Sequence, residues 1–465
     1  MIPVPGFEGR RVAVFGLGRS GITAARALQA GGAVPVLWDD GVSGRMQAEA
    51  EGFLVEDLTR ADWSGFAALV LSPGAPLTHP KPHWTVERAH EAGVPVIGDV
   101  ELFARALAAL PPGDRPRVVA ITGTNGKSTT TALIGWVLKQ AGLRVHIGGN
   151  IGIGVLALPE PTADAVYVIE VSSYQLDLTT GFAPDVAILT NVSPDHLDRH
   201  GGMEGYVAAK RRIFQAQGAE ALALVGVDEE WGQKIAAGLQ AQGRRVETVV
   251  SVPSPPRGEG FSAAAGVLMA GGEVLADLTA ARSLPGRHNA QNAAFAYATA
   301  RALGVSHEAA VEGLLSFPGL SHRTEAVGRL DAVRFINDSK ATNADAARQA
   351  LASYPSVFWI AGGKAKEGGI DSLRDLFVHV TKAYLIGEAA DAFAGTLGDT
   401  PHVVAQTMER AVELAAADAA MAGGEQVVLL SPACASFDQF PDFEVRGEAF
   451  RAAVLGLGAR PEPAA

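Results

Sequence analysis

The most constraining feature of the sequence is a short polar loop, Thr122-Gly-Thr-Asn-Gly-Lys-Ser-Thr129, which lies between an apolar run and a helical pattern. Its glycines let the backbone wrap around a phosphate, and the start of the following helix supplies amide groups and the positive end of a dipole. Lys127 adds a charge for the β- and γ-phosphates of a nucleotide, and Ser128 can hold Mg²⁺. A loop of this kind requires an α/β unit, because a strand must run directly into a helix.

One position departs from the strict phosphate-binding pattern, since Ile121 stands where that pattern has a glycine. The alternative is therefore an ordinary turn between a strand and a helix. The Gly-Lys-Ser triplet in this context favours phosphate binding.

The rest of the chain repeats the alternation of strands and helices. Its 465 residues leave room for about three domains. A mostly parallel, doubly wound sheet is typical of such alternation. Short apolar runs predict strands at residues 11–15, 34–37, 68–71, 94–97, 117–121, 165–169, 186–189, 221–227, 333–336, 357–360, 383–386 and 427–430, and a hairpin at 266–275.

Two breaks in this pattern divide the chain. Residues 110–116 contain three prolines and a glycine, and the pattern breaks again at residues 317–322. We therefore predict an α/β protein of three domains. Residues 1–112 form a Rossmann-like domain, residues 113–318 a central P-loop ATPase-like domain, and residues 319–465 a second Rossmann-like domain. Within the second domain, residues 251–260 are predicted to form an exposed loop.

Composition and charge exclude several classes of protein. Apolar residues make up 48% of the chain and charged residues 19%, which suits a globular fold and not a disordered chain, a coiled coil or collagen. The net charge of −12 argues against a nucleic acid or an anionic membrane as a partner. No apolar run approaches the ~18 residues of a membrane span.

The cysteine content and the N-terminal residues bear on the compartment. Cys434 is the only cysteine, so it cannot form an internal disulfide, and it fits a reducing environment. The first residues lack the basic start and apolar run of a signal peptide. We expect a cytoplasmic protein that has no membrane partner.

A second glycine motif, Gly16-Leu-Gly-Arg-Ser-Gly21, follows the first predicted strand, and Asp39 ends the next strand. This spacing matches the dinucleotide fingerprint, in which a diphosphate lies near a helix N-terminus and an acid binds a sugar. A nucleotide-diphosphate substrate fits the motif as well as an NAD cofactor does. A purely structural glycine turn is the third interpretation.

Polar residues also follow two strands of the central domain. Glu170-Val-Ser-Ser-Tyr-Gln175 and Ser193-Pro-Asp-His-Leu-Asp-Arg199 stand where ligands collect in α/β sheets. Glu170 and His196 are plausible Mg²⁺ ligands beside a phosphate loop. For His196 alone, an ordinary loop histidine is the alternative. Lys210, judged by composition, is a solvated surface lysine.

The third domain carries two polar loops of the same kind. Asn337-Asp-Ser-Lys-Ala-Thr-Asn343 and Ser431-Pro-Ala-Cys-Ala-Ser-Phe-Asp438 each follow a predicted strand, which is typical of binding loops. Cys434 has no evident base nearby and is interpreted as a small buried thiol. Gly286-Arg-His-Asn-Ala-Gln-Asn292, earlier in the chain, opens a helical pattern and offers amides for a base or a ribose. The alternative is that Asn289 is a helix cap residue.

Taken together, these motifs resemble the ATP-dependent Mur ligases of peptidoglycan synthesis. The resemblance covers nearly the whole chain and rests on the loop at 122–129, Glu170-Val-Ser-Ser, Asp195-His196, and the stretches 337–343 and 430–436. The last two look specific to the member that adds D-glutamate to UDP-N-acetylmuramoyl-L-alanine. The resemblance thus implies those two substrates, with ATP and two Mg²⁺ ions, and a monomer that contacts neither nucleic acid nor membrane.

The resemblance also implies roles for individual residues. Lys127, His196 and Lys210 would be catalytic, with Lys210 carbamylated by CO₂ and acting as a metal ligand beside Ser128, Glu170 and His196. ATP would contact Gly123, Thr124, Asn125, Gly126, Lys127, Ser128, Thr129, Asn292, Arg323 and Asp338. The UDP substrate would contact Leu17, Gly18, Asp39, Asp40, Ser72, Gly74 and Asn150. D-glutamate would contact Lys340, Thr342, Lys366, Ser436, Phe437 and Phe443.

Some relatives carry a hydroxyl and a basic residue after the first aspartate, where this chain has Asp40 and Gly41. Two lysines, Lys364 and Lys366, follow the Gly-Gly pair in the third domain, and spacing favours Lys366. The rival functions are another amide ligase of the same superfamily (L-alanine-adding or folylpolyglutamate type) and an NAD-dependent dehydrogenase. The dehydrogenase leaves the Gly-Lys-Ser loop without a role.

Overall fold

The computed structural model describes residues 1–251, 260–264, 266–281, 283–284, 286–366 and 368–461. It contains three large sheets and one two-stranded sheet. The predicted α/β class with mostly parallel sheets is confirmed. In the described part of the chain, no helix is both long and apolar enough to cross a membrane.

The first sheet has five parallel strands in the order β3-β2-β1-β4-β5. The fifth strand is shorter than the predicted 94–97, because Pro95 has no N–H to donate to a neighbouring strand. The strands are β1 (Arg11–Phe15), β2 (Val34–Trp38), β3 (Leu54–Val55), β4 (Phe66–Leu71) and β5 (Val96–Ile97), and the helices are α1 (Arg19–Ala30), α2 (Val42–Ala50), α3 (Trp84–Glu91) and α4 (Asp99–Ala108), with 3₁₀ turns at Trp63–Gly65 and Pro112–Asp114.

The second sheet has nine strands in the order β14-β13-β12-β11-β10-β9-β6-β8-β7. The predicted hairpin is confirmed as β13 and β14. Of the loop predicted at 251–260, residues 252–259 lie outside the described residues. The strands are β6 (Arg117–Thr122), β7 (Arg144–Gly149), β8 (Ala165–Glu170), β9 (Val186–Leu189), β10 (Leu222–Gly226), β11 (Arg245–Val250), β12 (Gly260–Ala264), β13 (Val267–Ala270) and β14 (Glu273–Asp277). The helices are α5 (Lys127–Gln140), α6 (Ser173–Asp177), α7 (Leu197–His200), α8 (Met203–Arg211), α9 (Glu230–Ala241), α10 (Gly286–Ala302) and α11 (His307–Leu315), with 3₁₀ turns at Val155–Ala157 and Arg212–Phe214.

The third sheet has seven strands in the order β20-β19-β17-β21-β16-β15-β23, with antiparallel pairing only at β15. The strands of this region are β15 (Glu325–Leu330), β16 (Val333–Asn337), β17 (Val357–Gly362), β18 (Lys364–Ala365), β19 (Val380–Ile386), β20 (His402–Gln406), β21 (Gln426–Leu430), β22 (Cys434–Ala435) and β23 (Arg460–Pro461). The helices are α12 (Ala344–Ala352), α13 (Ala390–Leu397), α14 (Met408–Ala422) and α15 (Phe443–Gly456), with a 3₁₀ segment at Asp371–His379.

The described residues group into two compact units. Unit 1 comprises Met1–Ser262, Met269–Val274 and Gln291–Gly313, and unit 2 comprises Ala263–Leu268, Leu275–Ala290 and Leu314–Ala465. The three large sheets fall within the three predicted segments 1–112, 113–318 and 319–465. The division into three domains stays a prediction.

Within unit 1, helix α4 of the first sheet region is anchored to the segment that follows β8. Glu101 accepts hydrogen bonds from the backbone N–H groups of Thr180 and Gly181, both at 2.8 Å. The buried carboxylate of Asp99 accepts from Gln175 Nε2 at 3.1 Å. Because Gln175 belongs to α6, which begins three residues after Glu170, the first sheet region is tied directly to a strand end that carries candidate site residues.

Helix α9 offers a matched pair of glycine substitutions. A Cβ added at Gly238 meets no atom within 4 Å, whereas one at Gly232 would lie 1.9 Å from the carbonyl oxygen of Gly226. We expect Gly238→Ala to raise the free energy of unfolding by about 1 kcal/mol, because alanine is the better helix former. Gly232→Ala should lower it by about 2 kcal/mol through overpacking. Urea unfolding followed by circular dichroism measures both, and shifts of the same sign would contradict the described packing of α9.

Candidate active site

The loop between β6 and α5 has the backbone shape of a phosphate-binding loop. Gly126 precedes α5 in the left-handed region with φ +81°, and Gly123 has φ +150°. A Cβ at Gly123 would lie 1.9 Å from Thr190 Oγ1, so only glycine fits there. The strand β6 therefore turns directly into helix α5 through a glycine-containing loop, as the strand and helix patterns in the sequence predict.

Neighbouring strand ends hold the loop in place. Asn191 Oδ1 accepts from the N–H of Asn125 at 2.8 Å, and Thr190 Oγ1 donates to the Asn125 carbonyl at 2.7 Å. From α10, Asn292 Oδ1 accepts from Thr130 Oγ1 at 3.0 Å, which places this predicted nucleotide contact beside the loop. The loop is thus fixed before any ligand arrives.

The side chain of Lys127 folds back over the loop. Its Nζ donates to the carbonyl oxygens of Gly123 at 3.0 Å and Thr124 at 2.8 Å. An ammonium group held in this way lies among the amides that would bind a phosphate. Ser128 and Thr129 follow it in the first turn of α5.

Glu170 ends β8 and is 2% exposed. Its Oε1 accepts from Asn150 Nδ2 at 2.8 Å, while Oε2 is buried and has no hydrogen-bond partner. A buried carboxylate oxygen of this kind is costly unless a cation or a donor satisfies it. Among the described residues, no group of three His, Cys, Asp or Glu side chains could hold a metal.

His196 and its neighbours lie on the segment after β9. His196 has φ 54°, in the left-handed region, and it precedes α7. Its ring lies 5.0 Å from the ring of Tyr174, and Nε2 lies 3.4 Å from Asp195 Oδ2. The side chain is exposed.

Lys210 corrects the interpretation drawn from composition. It is not a surface lysine, because only 1% of it is exposed. Its Nζ donates to the Gly123 carbonyl at 2.7 Å and lies 4.5 Å from the centre of the Tyr206 ring. Burial, and after it the charge of Lys127, lowers the pKa of Lys210 well below its usual value. The helix α8 has turned this side chain inward, beneath the phosphate loop.

The glycine motif of the first sheet region places Leu17 and Asp39 in contact. The N–H of Leu17 donates to Asp39 Oδ2 at 2.6 Å, and the N–H of Gly41 donates to Oδ1 at 2.7 Å. Gly18 precedes α1. Ser72 follows β4, where a Cβ at Gly16 would lie 2.4 Å from the Ser72 Cβ. Gly74 lies two residues further on in the same turn.

Three residues that contact Asp40 were not predicted from the sequence: His83, Trp84 and Arg45. Asp40 contacts His83 Nε2 at 3.1 Å and accepts from Trp84 Nε1 at 3.3 Å. The guanidinium of Arg45 lies 4.4 Å from the centre of the Trp38 ring and donates to the Asp40 carbonyl at 3.2 Å. A basic side chain therefore reaches the turn at Asp40 from α2. A basic residue four positions into a helical pattern was the available signal.

Unit 2 carries the remaining predicted nucleotide contacts. Asp338 is buried, and it accepts from Ser431 Oγ at 2.8 Å and from the N–H of Thr324 at 3.2 Å. Burial raises the pKa of Asp338 to about 7, against the opposing effects of these hydrogen bonds and of nearby Arg323. The loop at 337–343 therefore begins with a carboxyl group that is close to its titration point at neutral pH.

The residues predicted for the amino acid also lie in unit 2. Lys340 Nζ lies 3.9 Å from the centre of the Phe443 ring, and the N–H of Thr342 donates to the Lys340 carbonyl at 2.8 Å. Ser436 is buried and Phe437 is 71% exposed. Lys366 is exposed just beyond β18, whose residues Lys364 and Ala365 pair with β22.

Arg446 was not predicted, although it is a large charged side chain that is buried beside these loops. It is 1% exposed, and its Nη2 donates to the Ser339 carbonyl at 2.7 Å. Burial lowers its pKa to about 10. Burial also raises the pKa of the Cys434 thiol to about 12, which supports its interpretation as a small buried thiol.

The sequence matches the Mur ligase middle domain over residues 121–300 and the Mur ligase, glutamate ligase domain over residues 322–434. UDP-N-acetylmuramoylalanine--D-glutamate ligase of Caulobacter vibrioides (strain NA1000 / CB15N) is 62% identical over 464 residues, covering 99% of this chain and 98% of the relative. The protein of that name from Rhizobium meliloti (strain 1021) is 51% identical over 463 residues, covering 98% of each chain.

Solved structures share the fold at lower sequence identity. UDP-N-acetylmuramate-alanine ligase of Thermotoga maritima has a TM-score of 0.57 at 17% identity and covers 96% of this chain and 99% of its own. A pseudomurein peptide ligase type C from Methanothermus fervidus has a TM-score of 0.55 at 17% identity, with coverages of 97% and 100%.

Lys127 and Lys139 provide a test of the loop, because both lie on α5 and Lys127 folds back over the loop whereas Lys139 is exposed near the end of the helix. We expect Lys127→Ala to lower turnover by about 100-fold or more, as the loss of a group that stabilises charge in the transition state does. The exposed Lys139→Ala variant should behave as the wild type. Steady-state kinetics and ATP titration measure both, and near-normal activity of Lys127→Ala would contradict the assignment.

Proposed function

Because the chain belongs to the Mur ligase family, we propose that its site residues carry out one reaction, the ATP-dependent joining of D-glutamate to UDP-N-acetylmuramoyl-L-alanine. The protein is a ligase of peptidoglycan precursor synthesis, and the products are the amide, ADP and phosphate. The observation that carries the residue assignment is the convergence of Lys127, Lys210 and Glu170 around one phosphate loop.

The reaction needs activation of a carboxylate, because a carboxylate is a poor acylating agent. An oxygen of the UDP-substrate carboxylate attacks the γ-phosphorus of ATP, and ADP leaves with the electron pair. The amine of D-glutamate then attacks the acyl phosphate, and the tetrahedral intermediate expels phosphate to leave the amide. The protein's part in phosphoryl transfer is to position groups and to neutralise charge.

The residues around the loop supply that positioning. We assign phosphate binding to Lys127 and to the loop at residues 123–129, in which the N–H groups of Thr124 and Asn125 already donate to Asn191. Asn292 fixes the start of α5 from the neighbouring helix. Arg323 and Asp338, in unit 2, are proposed to contact the rest of the nucleotide. Ser128, Glu170, His196 and carbamylated Lys210 would hold two Mg²⁺ ions, which supply charge neutralisation on the phosphate oxygens. The buried, unpartnered Oε2 of Glu170 supports this assignment.

The UDP substrate is assigned to the first sheet region. Diphosphate would lie at the start of α1, near the amides of Leu17 and Gly18 and the turn Ser72 to Gly74. Asp39 and Asp40 would face the ribose and the base, with Asn150 towards the muramoyl group. Because the Leu17 N–H already donates to Asp39, this amide must exchange one acceptor for another when diphosphate binds.

D-glutamate is assigned to unit 2. It carries two carboxylates, so its pocket needs cations and donors, and its amine must be free to attack. The residues assigned to it are Lys340, Thr342, Lys366, Ser436, Phe437 and Phe443. Lys340 is held over the Phe443 ring, which keeps its ammonium in a fixed position by a cation–π contact.

The cellular setting belongs to the same proposal. The substrates are soluble nucleotide and amino-acid metabolites, so we propose that the enzyme works in the cytoplasm. The monomeric state expected from the sequence stays a prediction.

Acceptor choice tests the function. Phosphate release from ATP and Mg²⁺ with UDP-N-acetylmuramoyl-L-alanine is compared for D-glutamate, L-glutamate, L-alanine and glycine. We expect release only with D-glutamate, with a matching mass gain in the UDP product. Release with another acceptor would move the assignment to a sister ligase. No release with any of them would leave NADH binding as the next assay, for the dehydrogenase.

Lys210 carbamylation has its own test. A neutral amine adds to CO₂ with loss of one proton, and the burial that lowers the Lys210 pKa favours that neutral form. Asp195 and Glu170 act in the opposite direction on this pKa, but burial and the charge of Lys127 outweigh them. With ¹³C-labelled bicarbonate we expect a carbamate resonance in the wild type and in the surface variant Lys234→Met, and none in Lys210→Met. A resonance that persists in Lys210→Met would refute the modification at this residue.

A further inference from the structure

A histidine outside the assigned residues lies at the centre of a buried hydrogen-bond relay. His200 is the last residue of α7, and its side chain is 2% exposed. Its Nδ1 lies 3.0 Å from Asp177 Oδ2, and its Nε2 lies 3.0 Å from Ser173 Oγ. Since a carboxylate only accepts, the Nδ1–H donates to Asp177, and the ring is fixed in orientation by its two partners.

Aromatic contacts surround the same ring. Tyr174 stacks on His200 at 5.4 Å with an interplanar angle of 15°, and the Tyr206 ring lies 5.4 Å away on α8. The Arg199 guanidinium also contacts these rings, since it lies 4.5 Å from the centre of the Tyr174 ring. His200 therefore joins α6, α7 and α8 through direct contacts.

Each of these three helices leads to a group assigned to catalysis. Ser173 begins α6 three residues after Glu170, and His196 immediately precedes α7. Tyr206 donates to or accepts from Thr124 Oγ1 at 3.1 Å in the phosphate loop, and its ring lies under Lys210 Nζ. A shift of the His200 ring would therefore be transmitted to Glu170, His196 and Lys210 together.

We propose that His200 is a positioning residue for the ligase reaction. Through its hydrogen bonds to Ser173 and Asp177, His200 holds in place the helices that position the proposed metal-binding side chains of Glu170, His196 and Lys210. This inference rests on the proposed function of the surrounding site. Residues that orient metal ligands without touching the metal often affect metal affinity and activity by about 10- to 100-fold.

The order Ser–His–Asp also resembles the arrangement that activates a serine nucleophile. Burial argues against that chemistry here, because Ser173 is 3% exposed and lies inside the first turn of α6. A nucleophile must reach its substrate, whereas a positioning group must be enclosed. The geometry therefore favours positioning.

Two variants separate the hydrogen bonds from the ring contacts. His200→Phe keeps an aromatic ring against Tyr174 and Tyr206 but removes both hydrogen bonds, and Ser173→Ala removes one of them. We expect His200→Phe to raise the Mg²⁺ concentration for half-maximal activity, and to lower kcat, by about 10- to 100-fold. The KM for D-glutamate should not change, because its assigned residues lie elsewhere in the chain. The double variant should be no worse than His200→Phe, since the bond that Ser173→Ala removes is already lost in His200→Phe.

A matched control and a binding measurement complete the experiment. His307 makes a comparable contact with a tyrosine, Tyr297 Oη at 2.8 Å, away from the site, so His307→Phe should keep wild-type kinetics. Mn²⁺ binding in the presence of a non-hydrolysable ATP analogue, followed by electron paramagnetic resonance, should weaken in His200→Phe and not in His307→Phe.

Several outcomes would overturn the inference. A fall in kcat with unchanged Mg²⁺ dependence and unchanged Mn²⁺ binding would mean that His200 only stabilises the fold. Labelling of Ser173 by a fluorophosphonate would mean that it is a nucleophile. Wild-type protein that releases no phosphate with D-glutamate would instead refute the proposed function, which keeps the two failures distinct.

Discussion

The candidate site depends on one carbonyl oxygen. Gly123 O accepts hydrogen bonds from both Lys127 Nζ at 3.0 Å and Lys210 Nζ at 2.7 Å. Two amine groups that converge on one acceptor cannot both carry a full charge without repulsion, and this is part of why the Lys210 pKa is lowered. Only glycine fits at this position, because Thr190 Oγ1 occupies the space of a side chain. The need for glycine at position 123, the close approach of Thr190 and the lowered pKa of Lys210 therefore all arise at this one point of the backbone.

An anion bound near Lys127 and Lys210 would relieve the repulsion between the two amine groups. A cation would balance the buried carboxylate of Glu170 at the same edge of the sheet. Glu170 is buried with one oxygen unpartnered, and it ends β8, the strand next to β6. Parallel neighbours bring their carboxyl ends to the same edge, so the sheet itself sets a buried acid beside two lysines. A phosphate with Mg²⁺ satisfies both sides at once, which is the chemical demand of a reaction that transfers a phosphoryl group.

Much of this could be predicted from the sequence, for local reasons. The phosphate loop, the glycine motif at residues 16–21 and the strand ends are contiguous, so their spacing carries the information. The inward turn of Lys210 could not be predicted by composition, because it depends on how α8 packs against Tyr206 and the loop. Arg446 and His200 were missed for the same reason, since their partners lie 107 and 27 residues away in the chain. The two-residue strands β18 and β22 have no periodicity to read, and they exist only because one pairs with the other.

Buried polar atoms without a hydrogen-bond partner mark positions where the fold is less stable than it could be. In the described part of the chain they are Thr122 Oγ1, Thr131 Oγ1, Glu170 Oε2, Arg199 Nε, Asp438 Oδ1 and Arg446 Nη1. Buried polar groups are normally satisfied, so each one left over destabilises the protein without a ligand. Three of them stand at or next to the phosphate loop, and two more stand beside the loops assigned to the amino acid. Five of these six atoms therefore lie beside the loops assigned to ligands, and two of the five, on Thr122 and Glu170, belong to the last residues of β6 and β8. A ligand that completes their hydrogen bonds would stabilise the folded protein.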